Sequence, residues 1–153
     1  SGVMSTDVGR DGNQTDILVV PGGGSACPIT PRNAEQRLNT ISMQGREVYR
    51  YAVTAMRGAC DRVMADAKLK SEDISMVIPH QANLRIIDAI RERLDVPQEK
   101  MFVNLEKYGN TSAAAIAIAL DEANRTGAIK RGDKIVLVAF GAGLTWAAAA
   151  IHW

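Results

Sequence analysis

Ile74-Ser75-Met76-Val77-Ile78-Pro79-His80-Gln81-Ala82-Asn83-Leu84-Arg85-Ile86-Ile87 decides how this 153-residue chain folds. Ile74 to Ile78 is a short apolar run, which fits a buried strand ending at Pro79. A helix then runs from Leu84 to Leu94, with Ile87, Ile90 and Leu94 on its inner face. His80, Gln81, Ala82 and Asn83 are left between the two. Open α/β sheets place their ligands beyond the carboxyl ends of strands, so this linker is the first place to look for chemistry.

Working outward, Val48, Ala52, Ala55, Met56, Ala59, Val63 and Ala67 recur at helical spacing, which predicts a helix over Arg46 to Lys68. Downstream, Met101 to Leu105 reads as a strand, and Glu106 to Ser112 reads as a turn. Ala113 to Leu120 is apolar on every side, so a helix there is expected to be buried all round, with Gly127 as its C-cap. Lys134 to Phe140 reads as a central strand, Gly141-Ala142-Gly143 as a reversal, and Leu144 to Trp153 as a returning strand. Upstream, a strand over Val3 to Thr6 precedes a turn-rich loop, and Ile17 to Val20 is a short strand stopped by Pro21-Gly22-Gly23-Gly24. That Gly-rich stretch lacks the Lys and Ser/Thr of a phosphate loop and reads as a connection. The alternation of helices and strands predicts an α/β layered architecture, a mixed sheet covered by helices.

Composition narrows the function. Hydrophobic residues make up 46% of the chain and charged residues 23%, enough for one globular core. The 18 basic and 17 acidic side chains are scattered, so no basic field exists to hold a nucleic acid. No apolar run approaches the roughly 18 residues of a membrane span. Two cysteines, Cys27 and Cys60, make neither a disulfide framework nor a zinc site, which suits a cytoplasmic setting. Cys60 falls at helical spacing from Met56 and Met64 and reads as a core side chain, while Cys27 lies in a loop. His80 has no ligand partners at metal spacing and His152 sits in the last strand, so no metal is expected. The opening Ser1-Gly2-Val3-Met4 has no signal-peptide pattern and reads like the middle of a longer chain.

Singly, the candidate site residues are bland: His80 reads as a structural histidine, Asn110 as a turn or capping residue, and Gly141-Ala142-Gly143 as a tight hairpin. Together they carry more. Val77 to Ile87, then Tyr108-Gly109-Asn110-Thr111-Ser112-Ala113-Ala114, then Ala139-Phe140-Gly141-Ala142-Gly143-Leu144-Thr145-Trp146, resemble the C-terminal half of β-ketoacyl-acyl-carrier-protein synthase III. Val3-Met4-Ser5-Thr6 with Asp11-Gly12, Met43 to Tyr49, and Leu120-Asp121-Glu122-Ala123 fit the same family, so the resemblance runs through essentially the whole chain.

The resemblance implies a thiolase-like condensing enzyme that joins an acyl-CoA primer, acetyl-CoA in the simplest case, to malonyl-acyl-carrier protein. It implies that His80 and Asn110 are catalytic: two fixed donors stabilise the enolate oxygen that malonyl decarboxylation creates. Ala142 would offer its backbone N–H to an oxyanion hole, at a position where Gly is usual. Gln81, Ala82, Asn83, Leu84 and Arg85 match the segment beside the pantetheine entrance and the carrier-protein dock, and Arg46 and Tyr49 lie where family members line the CoA tunnel. The family's nucleophilic Cys belongs to the preceding half, so residues 1–44 are expected to end that half and connect, and 45–153 to form the C-terminal half. Its partners would be acyl-carrier protein, acyl-CoA, the N-terminal half and a second copy in a homodimer, with no cofactor. Alternatives are a related condensing enzyme with another primer or product, and a non-catalytic docking or assembly fragment. A nucleotide-binding α/β domain is disfavoured because no Gly-x-Gly-x-x-Gly or phosphate loop opens a helix.

Overall fold

The computed structural model describes all 153 residues. Strand β1 (Gly2–Arg10) opens the chain, and the short strands β2 (Leu18–Val19) and β3 (Ser42–Met43) pair with each other beyond it. Then follow α1 (Gly45–Asp66), β4 (Met76–Pro79), α2 (Leu84–Leu94), the single turn α3 (Leu105–Tyr108), α4 (Ala114–Arg125), β5 (Lys134–Gly141) and β6 (Thr145–His152). The main sheet has four strands in the order β1-β6-β5-β4. β4 runs parallel to β5, whereas β6 is antiparallel to both β5 and β1. This is the mixed sheet that the alternation of elements requires.

Every residue of β4 is buried, so the sheet needs cover on both faces. On one face α1 and α2 enclose an 18-residue cluster that includes Met56, Val63, Val77, Ile87, Ile90 and Val136. Cys60 lies in this cluster, and burial pushes its thiol up to about 12, with Asp61 adding to the shift. On the other face α4 sets Ala119 and Ala123 against Met76, Ile78 and Ile135. α2 starts where Asn83 Oδ1 accepts the Arg85 N–H at 2.9 Å and stops where Asp95 turns left-handed, φ 52°.

Four expectations are corrected. Met101 to Leu105 is not a strand: only Met101 bridges to Val77, and the Phe102 N–H reaches the Val77 carbonyl at 2.9 Å before the chain turns into α3. The strand placed at Ile74 to Ile78 runs from Met76 to Pro79, because Ile74 closes a 3-10 turn over Ser71–Asp73. α4 is not buried all round: it buries Ala115, Ala119 and Ala123, one stripe at four-residue spacing, and leaves Ala114 and Ala117 exposed. Nor does residue 44 mark a break in the fold. β1 extends to Arg10 and pairs with β6 from Gly2↔His152 to Arg10↔Thr145, so the first strand belongs to the same sheet as the last. Trp146 explains a glycine there, since a Cβ on Gly9 would stand 2.3 Å from the indole ring.

Candidate active site

Two of the three predicted groups leave the sheet at one end, and the third follows a segment bridged beside them. His80 follows β4, and its N–H still makes the next parallel rung, to the Val138 carbonyl at 2.8 Å. Ala142 follows β5, the parallel neighbour of β4, and Asn110 lies beyond Met101, whose bridge to Val77 is also parallel. Parallel strands share a direction, so their carboxyl ends and the loops that leave them gather on one edge.

The local chemistry of each group leaves a donor free. His80 is half-buried and its imidazole makes no hydrogen bond within the chain. Burial disfavours the charged ring and holds it below its ordinary 6.5, so a neutral imidazole with one N–H stands at pH 7. Asn110 is exposed on the turn after α3. Its Oδ1 accepts the Ser112 N–H at 2.9 Å, which fixes the amide plane and leaves Nδ2 as the outward donor. Ala142 N–H is unpaired within the chain, while Ala142 O accepts the Thr145 hydroxyl at 3.1 Å. The positive φ of this turn falls on Gly143, at 142°, so alanine is accommodated at 142 without strain. Asp11 clamps the turn from outside through paired backbone bonds with Leu144, both 2.9 Å.

Residues 64–153 match the family described as 3-oxoacyl-[acyl-carrier-protein] synthase III, C-terminal. The chain belongs to that family. Over 152 residues it is 51% identical to a β-ketoacyl-[acyl-carrier-protein] synthase III of Caldanaerobacter subterraneus subsp. tengcongensis, covering 99% of this chain and 46% of that one. It superposes on the synthase III of Thermus thermophilus with a TM-score of 0.85 at 44% identity, over 99% of this chain and 46% of the other. The priming β-ketosynthase of the R1128 polyketide pathway follows with a TM-score of 0.83 at 34% identity, over 98% and 44%. The chain thus has the thiolase-like α/β fold and spans about half the length of the curated relatives it matches.

In this synthase III half the remaining predicted residues divide. Asn83 caps α2, and Ala82, Leu84 and Arg85 stand at or near the surface, with Leu84 50% exposed. Gln81 does not belong to a contact surface. It is 1% exposed, its Nε2 donates to the Pro79 and Phe102 carbonyls at 2.8 and 3.1 Å, and its Oε1 accepts the Asn104 N–H at 3.0 Å. Burial decides this correction, because the side chain has no face left for a partner. Arg46 and Tyr49 lie exposed on the first turns of α1, whose Val48 packs with Leu144 and so brings that helix start to the Gly141-Ala142-Gly143 turn. A groove of about 300 Å³ lies between α1 and β6, lined by Asp11, Tyr51, Thr54, Gly58, Arg62 and Trp146. His80, Asn110 and Ala142 are not among its walls.

Sequence reading missed Asn104 and Glu122. Asn104 is 4% exposed, and its Nδ2 donates to Glu122 Oε2 at 2.7 Å, while Lys107 Nζ bonds the other carboxylate oxygen. Lys107 first, then Asn104, hold the Glu122 carboxyl below the ordinary range. No local pattern links residues so far apart in the chain. Only the packing of α3 on α4 brings them together.

Proposed function

We propose that this chain carries the decarboxylation and oxyanion half of a β-ketoacyl-acyl-carrier-protein synthase III, acting in the cytoplasm of a bacterium to open fatty-acid synthesis. The observation that carries this reading is the set of unused donors on His80 and Ala142, at the exits of the parallel neighbours β4 and β5, and on Asn110, which follows a segment that Gln81 ties to the end of β4. Malonyl thioester decarboxylation breaks the bond to the carboxylate, releases CO2 and leaves the electron pair as an enolate. A neutral His80 N–H and Asn110 Nδ2 stabilise that oxygen where its charge develops. The enolate carbon then attacks an acyl thioester held on a Cys of the preceding half. Ala142 N–H stabilises the tetrahedral oxyanion, which collapses to the 3-ketoacyl thioester and expels the Cys thiolate.

Arg85, exposed at the start of α2, suits an acidic carrier protein, and Ala82, Asn83 and Leu84 border the path a pantetheine arm would take to His80. Arg46 and Tyr49 would flank the CoA primer on the opposite side. The reading includes the N-terminal half as obligatory partner, a homodimer as the assembled enzyme, and no cofactor beyond the two thioester substrates. The polyketide-priming relative supports a second reading with the same chemistry and a different primer. Competition between acetyl-CoA and longer or branched acyl-CoA distinguishes the two.

In the complete enzyme, His80→Ala combined with Asn110→Ala should lower malonyl decarboxylation by about 10² to 10³-fold or more, the scale of a lost oxyanion donor. CO2 release from malonyl-acyl-carrier protein is the measurement. An unchanged rate overturns the assignment.

A further inference from the structure

α3 is a single turn, and one turn has little stability of its own. Its N-cap, Asn104, does not cap it with a side chain. Even so, α3 is what delivers Asn110, since the Gly109 N–H closes on the Leu105 carbonyl at 2.8 Å immediately before the Asn110 turn. What holds α3 comes from outside it. Asn104 N–H is bound to Gln81, the residue after His80, and Asn104 Nδ2 is bound to Glu122 of α4. Lys107, in the body of α3, reaches the second oxygen of the same carboxylate.

These contacts form one continuous path. It runs from the end of β4 through the Gln81 amide, across Asn104, to Glu122, and back into α3 through Lys107. Gln81 also donates to Phe102, so the segment that leads to Asn110 is tied to the segment that carries His80 at two backbone points. Gln81 and Asn104 are both buried, where a broken polar contact has no water to replace it. Glu122 is the only member on α4, and it anchors the path to a helix packed against the sheet.

We propose that the Gln81–Asn104–Glu122 path sets the spacing between His80 and Asn110, making Gln81 and Glu122 positioning residues for decarboxylation. The inference rests on the assignment of His80 and Asn110 as the enolate donors. Two donors aimed at one oxygen are sensitive to their separation, and a displacement of about 1 Å can cost about 10²-fold. On that assignment Asn110 acts only on the enolate, so acylation of the enzyme by acyl-CoA should not feel the path.

The test is made on the complete enzyme. Glu122→Ala should lower kcat for malonyl decarboxylation by about 10- to 100-fold with KM held, while the rate of enzyme acylation by acyl-CoA stays at the wild-type value. Glu122→Gln keeps an acceptor for Asn104 Nδ2 and should recover most of the lost rate. If Glu122→Ala does not fold, Gln81→Met, close in shape and without the three hydrogen bonds, carries the same expectation. Wild-type decarboxylation, or an equal loss in acylation and decarboxylation, overturns the proposal. His80→Ala and Asn110→Ala run alongside separate the two failures. If they decarboxylate normally, the donor assignment is wrong. If they do not, and Glu122→Ala does, only the positioning role is wrong.

Discussion

The two faces of the sheet are finished to different degrees. The α1 face carries an 18-residue cluster into which a long helix sets Ala52, Met56, Ala59, Cys60, Val63 and Met64, with α2 beside it. The α4 face carries six buried residues, and its helix contributes only Ala119 and Ala123 to them. On the α1 side the polar side of the helix faces outward, with Arg57 and Asp61 paired across one turn. On the α4 side the outward residues include Ala114 and Ala117, apolar and exposed. A chain that spans about half of its relatives is expected to have one face sealed by its own residues and one left for others.

The largest effect separates the faces directly. Met56→Ala, 2% exposed beneath α1, should cost about 2–5 kcal/mol in the complete enzyme, read from the urea midpoint. Ala117→Asp alters no buried contact within this chain. On the proposed reading, in which the preceding half packs on this face, it should nevertheless destabilise the complete enzyme by about 1–3 kcal/mol. A silent Ala117→Asp would make α4's open flank a true solvent face and remove the contrast.

The next effect tests whether β1 is as integral to the sheet as its pairing indicates. At Gly9 an added Cβ would fall 2.3 Å from the Trp146 ring, so the indole must move or β1 must part from β6. Gly9→Ala should cost about 1–3 kcal/mol and shift tryptophan emission. Unchanged melting would mean that β1 is loosely attached to β6.

Legibility follows the same divide. α1 was readable because an amphipathic stripe encodes a face covered within the chain, and α2 because a cap and its Ile spacing mark both ends. β4 was readable two residues out of place, since a 3-10 turn and a strand both accept Ile74. The α4 pattern was visible but misleading: all-round apolarity reports burial against something, and local sequence does not say what. At the site, the motifs placed His80, Asn110 and Ala142 at the sheet edge but put Gln81 on the wrong side of the surface. Two of its three hydrogen bonds depend on Phe102 and Asn104, more than twenty residues away, and no local period encodes them.

The smallest effect asks how much of the well-sealed face depends on charge at its rim. Arg62 of α1 reaches Asp7 of β1 through two bonds, 2.7 and 2.8 Å, and the hydrogen bond to Arg62 holds the Asp7 carboxyl below its ordinary 3.8. The pair is solvent-screened, with the Arg62 side chain 53% exposed, so its contribution is below about 1 kcal/mol. The sign follows from the lowered value: the contribution is fully present above 3.8 and disappears as pH falls through the folded-state value. Asp7→Asn should therefore melt slightly below wild type at pH 7, and the gap should close on acidification and shrink with added salt. A gap that persists in acid and in high salt would come from packing between β1 and α1. The rim would then be sealed by shape, as the interior of that face already is.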